Sequence, residues 1–139
     1  MKSILLVTLL WTGLLGSLEA SSCSFIPRST AEYFEQASRV YLAKLKSRSL
    51  ITGVNGITAE MQVLETFKGN PGKVATVRPG IGGGGCGFYL QMDIEYIVFQ
   101  GEDDAMSLVT GSISLDDPLS PDLEKKMLES LRKLKSEHQ

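Results

Sequence analysis

Histidine and cysteine are scarce in this chain of 139 residues, which contains one histidine and two cysteines. The single histidine, His138, is the penultimate residue, and we expect it to lie in a frayed tail. A zinc site needs several nitrogen or sulfur ligands, and a cysteine nucleophile needs a base beside it. The sequence supplies neither set, so it predicts no cofactor, no metal site made by this chain alone, and no enzyme.

A strong excess of charge of either sign is also lacking. The formal net charge is −2, with 42% apolar and 22% charged residues, and these are ordinary values for one globular domain. This balance gives no reason to expect a nucleic-acid partner or binding to an anionic membrane. We expect a monomer whose turns and linkers place acidic residues on the solvated surface, namely Asp103, Asp104, Asp116 and Asp117.

The longest uncharged stretch lies at the start of the chain. Residues 4–18 carry no charge, Lys2 precedes them, and small residues follow at positions 20–22. A positive start, a short apolar segment and small residues are typical of a secretory signal peptide, whereas an uncleaved membrane anchor is less favoured. We predict a signal peptide at residues 1–22 and a secreted protein, extracellular or periplasmic, with no membrane attachment after cleavage.

A glycine-rich stretch surrounds the second cysteine, Cys86. Six of the eight residues Gly80–Gly87 are glycine, so this backbone can adopt conformations closed to other residues and bend around a crosslink. Disulfides form in the oxidising compartments that exported proteins reach. We therefore predict a Cys23–Cys86 disulfide, which closes a loop of about 60 residues and stabilises the fold by about 4 kcal/mol in the chain-entropy model.

Alternating apolar residues, separated by turns rich in Gly, Pro and Asn, predict a mainly β protein. The predicted strands are Arg39–Arg48, Ile57–Phe67, Val74–Val77, Glu95–Phe99 and Met106 to about Ile113. Five strands, with one helix before them and one after, favour a small closed barrel of five strands.

Each predicted helix has a recognisable start. Ser29 and Glu32 form a capping box, which predicts a short helix over about residues 30–38. Ser120 and Pro121 suit the N-cap and first position of the second helix. Phe34 and Ala37 should face inward from the first helix. The second should pack on the barrel, with binding to a partner as the minority interpretation, through an apolar stripe of Leu123, Met127, Leu128, Leu131 and Leu134.

Several segments share residues with one known family. They are Cys23-Ser24-Phe25-Ile26-Pro27, Ala37–Lys44, Val63–Gly69, Gly85–Gly87 and Tyr96–Phe99. In this order they resemble the tissue inhibitors of metalloproteinases and their netrin-like relatives, above all the short single-domain members. The resemblance covers most of residues 23–115. It implies an OB-like (netrin-like) domain at residues 23–116, with the C-terminal helix at residues 117–139.

The chain departs from the family pattern at one disulfide. The family's mature start is Cys-Ser/Thr-Cys-x-Pro, and Phe25 occupies the position of its second cysteine. The usual partner of that cysteine lies in a Thr-x-x-Cys-Ser stretch, which resembles residues 110–114, and its position is Ile113. We expect Phe25 and Ile113 to pack together there, which restores buried area but does not constrain the unfolded chain.

The resemblance also implies a mechanism. In the family, the free amine and the carbonyl of the first cysteine chelate the catalytic zinc of a protease. Carried over, Cys23 is the zinc ligand, Ser24 enters the main specificity pocket, and Phe25–Pro27 lie along the substrate cleft. The bridge to Cys86 holds this edge rigid, which lowers the entropy cost of binding. The expected partner is a zinc metalloprotease.

Three alternatives follow from the same residues. Cleavage after Ser22 makes Cys23 the first residue, but cleavage after Ala20 leaves Ser21 first, turns the amine into an amide and removes the zinc mechanism. A lipid on Cys23 also puts that mechanism in doubt. A secreted netrin-like binding module without protease inhibition fits the loss of one bridge. A cysteine enzyme is least favoured, because it requires a free Cys86 thiol.

Overall fold

The computed structural model describes residues 27–50, 57–79, 89–106, 110–116 and 121–138. The predicted signal peptide, the segment Cys23–Ile26 and Cys86 lie outside these ranges. The described residues form, in chain order, α1 (Thr30–Gln36), β1 (Arg39–Leu50), β2 (Ile57–Lys68), β3 (Val74–Val77), β4 (Glu95–Gln100), β5 (Ile113–Ser114) and α2 (Pro121–Glu137). The fold is mainly β with a helix on each side of the strands in the chain, as the sequence predicts.

The five strands form one antiparallel sheet with the order β3-β2-β1-β4-β5. β1 is central, because it pairs with β2 from Val40 to Leu50 and with β4 from Arg39 to Lys44. β3 has the predicted bounds, and β1, β2 and β4 extend past theirs by one or two residues. The alternation of apolar residues was therefore a sufficient signal for these four strands.

The predicted extent of the fifth strand is wrong. β5 contains two residues, and Met106 lies outside it. A turn at Thr110 and Gly111 separates them, and the φ angle of Gly111 is 90°, which an extended strand cannot contain. Residues 107–109 lie outside the described ranges. β5 is thus a short edge strand that follows a turn.

The first helix ends two residues earlier than the sequence predicts. Ala37 has φ −75° and ψ 141°, which is extended backbone. The backbone N–H of Ser38 donates to the carbonyl of Gln100 at 2.9 Å, so the chain already pairs with β4 at this point. Phe34 and Ala37 are both buried, as expected.

Alternate residues of the strands enter two separate cores, as the two-residue period of a strand requires. One is the loop-side core, which Leu90 and Met106 complete from segments outside the strands. Its other buried members are Tyr41, Ala43, Leu45, Ala59, Met61, Ala75, Val77, Tyr96 and Val98. The second is the helix-side core, on the opposite face of the sheet. Its buried members are Tyr33, Phe34, Ala37, Val40, Leu42, Phe67, Ile97, Phe99 and Leu131.

α2 packs on the helix-side core through a shorter stripe than the sequence predicts. Leu131 is fully buried, and Met127, Leu128 and Leu134 pack partly against the same core. Leu123 is 62% exposed, so its predicted inward orientation is wrong: along the helix, contact with this core begins at Met127. Neither described helix has the length and apolar character that a membrane span requires.

The sheet curves until its two sides come close. Gln100, the last residue of β4, donates from Nε2 to the carbonyl of Thr76 in β3 at 2.7 Å. β1 and β2 separate these strands, and three spacings of about 4.8 Å in a flat sheet would exceed the reach of a glutamine side chain. Arg78, directly after β3, also forms an isolated parallel bridge with Ala105. No continuous ladder joins the two edges among the described residues, so the sheet itself is not closed.

Candidate functional site

Pro27 is the predicted site residue that the structure describes, and it lies exposed at the start of the described chain. The other predicted protease-contact residues, Cys23 to Ile26, lie outside the described ranges. The predicted disulfide between Cys23 and Cys86 and the contact between Phe25 and Ile113 fall there too, although Ile113 itself packs against the helix-side core. The structure therefore describes the surroundings of the site: the helix that follows Pro27 and the residues on either side of the glycine-rich stretch that contains Cys86.

A capping box fixes the start of α1 two residues after Pro27. The backbone N–H of Ser29 donates to Glu32 Oε2 at 2.8 Å, and the backbone N–H of Glu32 donates to Ser29 Oγ at 3.3 Å. The bond from the Ser29 backbone is the main reason that the pKa of Glu32 lies below its usual value. The capping box predicted from the sequence is confirmed. It sets the direction in which the chain approaches α1.

Two aromatic side chains attach α1 to the sheet. Phe34 is fully buried, and the centroid of the Tyr33 ring lies 5.8 Å from that of Phe99. Tyr33 also covers Gly111, where an added Cβ would lie 2.5 Å from Tyr33 Cγ. Because Gly111 has a positive φ as well, this position suits glycine in both backbone conformation and space. The close approach holds α1 against the turn before β5.

Lys68 holds the other end of α1. Its Nζ donates to the carbonyls of Phe34 and Glu35 at 2.7 and 3.0 Å, and it lies 5.2 Å from the centroid of the Phe34 ring. A cation is favourable there, because the last carbonyls of a helix carry partial negative charge. Lys68 belongs to one of the segments that resemble the inhibitor family. Its position here accounts for a lysine at the end of β2.

A partly buried hydrogen-bond network joins β1, β4 and the turn after β4. Arg39 Nη2 donates to Asp104 Oδ1 at 2.6 Å and to the Gly101 carbonyl at 3.1 Å. Gln100 Nε2 also donates to Asp104 Oδ1, at 3.2 Å, and Gln100 Oε1 accepts from the Tyr41 hydroxyl at 2.9 Å. Burial raises the pKa of Tyr41, so this hydroxyl keeps its proton. The expectation that Asp104 is merely solvated surface is wrong, because the turn folds back onto β1.

The segment that leads into the glycine-rich stretch is attached to the same turn. The backbone N–H of Arg78 donates to the Asp104 carbonyl at 2.8 Å, and the Arg78 carbonyl accepts from the Met106 N–H at 3.0 Å. Arg78 Nη2 also donates to the carbonyl of Asp103. The end of β3 and the turn after β4 therefore form one rigid connection.

The segment that leaves the glycine-rich stretch is also anchored. Leu90 is 3% exposed and lies in the loop-side core, whereas its neighbour Tyr89 is 77% exposed. The backbone N–H of Gln91 donates to the hydroxyl oxygen of Tyr96 at 2.8 Å. Burial is the main reason that the pKa of Tyr96 lies above its usual value. Both ends of the stretch that contains Cys86 are thus held by described contacts.

A cleft of about 260 Å³ lies between α1 and the end of β4. Arg28 stands at its rim, where Nη1 donates to Gln36 Oε1 at 2.6 Å. Its lining residues are Arg28, Tyr33, Gln36, Ala37, Phe99, Gln100, Gly101 and Thr110. The lining offers aromatic rings, side-chain amides, two hydroxyls and the Arg28 guanidinium.

The described residues contain no group of three or more His, Cys, Asp or Glu side chains placed to hold a metal ion. Asp104 is already paired with Arg39 and with Gln100, a residue of the cleft lining. The arrangement can present a rigid chain segment to a partner, because several contacts fix the segment's neighbours.

The sequence reasoning missed the residues that connect β1 and β4 to the turn after β4. Arg39 and Gln100 lie at the ends of apolar strands, and Asp104 lies in an acidic turn. A polar residue directly after four buried strand residues, as at Gln100, was the available signal. Its partners depend on strand register and on the curvature of the sheet, which residue spacing does not contain.

The chain matches no protein-family model, and a comparison with curated proteins finds no match either.

Proposed function

We propose that the mature protein is a secreted inhibitor of zinc metalloproteases, with Cys23-Ser24-Phe25-Ile26-Pro27 as the segment that enters the protease cleft. The amine and carbonyl of Cys23 bind the partner's zinc in the position that water otherwise occupies. Two kinds of support carry this proposal. One is the resemblance of the sequence to the tissue inhibitors of metalloproteinases. The other is the way in which described residues hold the chain after Pro27 and both ends of the stretch that contains Cys86.

The exposure of Pro27 beside a firmly held helix is the observation that carries the proposal furthest. Pro27 lies two residues before the capping box, and α1 is held by Tyr33, Phe34 and Lys68. A segment that binds in an enzyme cleft gains affinity when little conformational freedom is lost on binding. Proline restricts its own φ angle, and the attached helix restricts the chain behind it.

The proposed disulfide is compatible with the lengths of chain between each cysteine and the described residues. Cys23 precedes Pro27 by four residues, a span of at most about 14 Å, and Cys86 follows Pro79 by seven residues, a span of at most about 25 Å. Arg28 lines the cleft together with Gly101. Arg78 is bonded to Asp103 and Asp104 in the adjoining turn. Both segments therefore depart from one region of the molecule, which is compatible with the proposed disulfide.

We also propose that the sheet forms an OB-like (netrin-like) barrel. The loop-side core draws its side chains from β1 to β4 and from Leu90 and Met106, with no described helix over that face. A flat sheet would leave these apolar side chains in water. Curvature buries them against one another without a covering helix. The Arg78–Ala105 bridge and the bond from Gln100 to Thr76 lie where the two sides of such a barrel would meet.

The zinc mechanism depends on the amine of Cys23. An N-terminal amine is normally protonated near neutral pH, and it binds zinc only after losing that proton. A preceding residue converts the amine into an amide, which lacks the basic lone pair. The mature first residue therefore decides between this mechanism and a binding module without inhibition.

The test begins with the intact mass of the secreted protein, which should correspond to a start at Cys23. That protein is then titrated against the catalytic domains of several zinc metalloproteases. A variant with one extra Ser before Cys23 should inhibit at least about thirty-fold more weakly, because a lost central contact costs about 2 kcal/mol or more. Lys46→Ala, which changes an exposed residue of β1, is the matched control and should inhibit as the unchanged protein does.

Other outcomes separate the alternatives. No inhibition at micromolar protein that starts at Cys23 would leave the netrin-like binding module as the better proposal. A mature start at Ser21 would remove the zinc mechanism outright. Titration of the native protein with a thiol reagent should find no free thiol, and a reactive Cys86 would instead support the cysteine enzyme.

A further inference from the structure

The described chain ends in a contact between α2 and α1, at His138. Its Nδ1 lies 2.8 Å from the carbonyl oxygen of Leu134, and its Nε2 lies 2.9 Å from Glu35 Oε1. The imidazole centroid is 5.5 Å from that of the Phe34 ring. The expectation that His138 lies in a frayed tail is wrong, because the ring packs against the end of α1. This contact is separate from the proposed protease-binding segment.

The geometry at His138 selects one protonation state. A neutral imidazole carries a single N–H and faces any second neighbour with a lone pair, whereas an imidazolium carries an N–H on each nitrogen. Here both neighbours, the Leu134 carbonyl and the Glu35 carboxylate, are acceptors. We propose that His138 is a pH-dependent latch, which docks the last turn of α2 onto α1 when the imidazole is protonated.

Several other charged groups surround the ring. Lys68 of β2 and Lys135 of α2 line the same cleft of about 290 Å³ as His138. Lys68 Nζ is occupied by two carbonyls at the end of α1. Glu137, the last residue of α2, adjoins His138 in the chain, and its Oε1 lies 3.9 Å from Lys133 Nζ. The two lysines repel a positive charge on the imidazole. Glu35 is the carboxylate in direct contact with the ring, so the attraction that closes the latch comes from Glu35.

The latch acts locally. The middle of α2 is held by Leu131, which is fully buried in the helix-side core whatever the charge on His138. Release of the ring therefore loosens the last turn and uncovers the Phe34 side of the 290 Å³ cleft, while the sheet is unaffected. Histidine side chains change charge near pH 6.5. The latch is closed while the imidazole is charged and opens when the imidazole becomes neutral.

Nuclear magnetic resonance of the intact protein tests this directly. Amide protection in the last turn of α2, corrected for intrinsic exchange, should be about two- to five-fold greater near pH 5.5 than near pH 8, the range expected for an exposed ion pair. Cross-peaks between the rings of His138 and Phe34 should likewise be weaker near pH 8 than near pH 5.5. Both readouts should lose most of their pH dependence in Glu35→Gln, which keeps an oxygen acceptor but removes the charge, and in His138→Gln.

Glu137→Gln is the matched control. It removes the carboxylate of the last residue of α2, which adjoins His138 in the chain and is paired with Lys133 instead. This variant should retain the full pH dependence. The proposal is overturned if Glu35→Gln keeps the pH dependence of the unchanged protein. It is equally overturned if ring contact and protection are the same at both pH values, or are greater at the higher one.

Discussion

The two faces of the sheet are both buried, but they are buried by different means. The loop-side core consists of strand side chains with Leu90 and Met106 and depends on the curvature of the sheet. The helix-side core is covered by α1 and α2. Its margin carries an exposed ion pair between Glu65 and Arg132 and a contact between Glu35 and His138. One face is closed by the sheet itself, and the other is closed by separate elements laid upon it.

This difference teaches which parts of the molecule can open alone. Strands that share ladders on both sides lose their contacts together, because each depends on its neighbours. A helix that contacts the sheet through one stripe can detach while the strands remain paired, and such local openings require less free energy than global unfolding. We therefore expect the loop-side core to report global stability and the helix-side core to include a less stable layer.

The largest expected effects come from a matched pair of cavity substitutions. Met61→Ala and Leu131→Ala each truncate a fully buried side chain, one in each core. Each should lower the free energy of unfolding by about 2–5 kcal/mol. Met61→Ala should reduce the protection of all strand amides alike, whereas Leu131→Ala should expose the amides of α2 first. Denaturant unfolding followed by residue-resolved hydrogen exchange measures both. Equal loss of protection throughout the chain in both variants would contradict the comparison.

A smaller effect is expected from the network at the rim of the loop-side core. Gln100→Leu leaves the Tyr41 hydroxyl and the Thr76 carbonyl without their present partner. Each buried group left unsatisfied should cost about 1–3 kcal/mol. Tyr41→Phe, measured alone and together with Gln100→Leu, completes a double-mutant cycle. Its cost should shrink when Gln100 is already leucine, and additive costs would show that the two groups do not act together.

The smallest effect concerns the ion pair at the margin of the helix-side core. Arg132 donates to both Glu65 oxygens, at 3.1 and 2.8 Å, and these bonds hold the pKa of Glu65 below its usual range. The resulting stability is present above the ordinary carboxyl range and is lost as the pH falls through the lowered pKa. The stability difference between the unchanged protein and Arg132→Met should therefore be positive near neutrality and should vanish in acid.

Lys133→Met is the control for this measurement. Lys133 lies next to Arg132 on the same helix, and its own partner is Glu137 within the helix. Urea unfolding at a series of pH values should show a far weaker acid dependence of the stability difference for Lys133→Met than for Arg132→Met. Matching acid profiles would mean that the contact between α2 and β2 carries no specific contribution.

Particular residues mark how far sequence reasoning reached. The alternation from Ile57 to Val63 located β2, and the spacing of Ser29 and Glu32 located the start of α1, because both signals are confined to a few neighbouring residues. The same reasoning extended the fifth strand through Gly111 and turned Leu123 inward. Those errors arose because both features depend on residues far away in the chain. Tyr33 packs against Gly111 at the turn, and the helix-side core does not extend as far as Leu123. The roles of residues 23–26 and the disulfide to Cys86 remain predictions, since these residues lie outside the described ranges.

By itself, the sequence determined the period of each strand, the capped start of α1 and the mainly β class. Each of these follows from backbone geometry and from neighbours along the chain. Only the tertiary structure decided that Gln100 reaches Thr76, that Asp104 pairs with Arg39, and that His138 meets Glu35. These pairs are brought together by register, curvature and helix packing. Such contacts join residues far apart in the chain, and their distances depend on the whole fold.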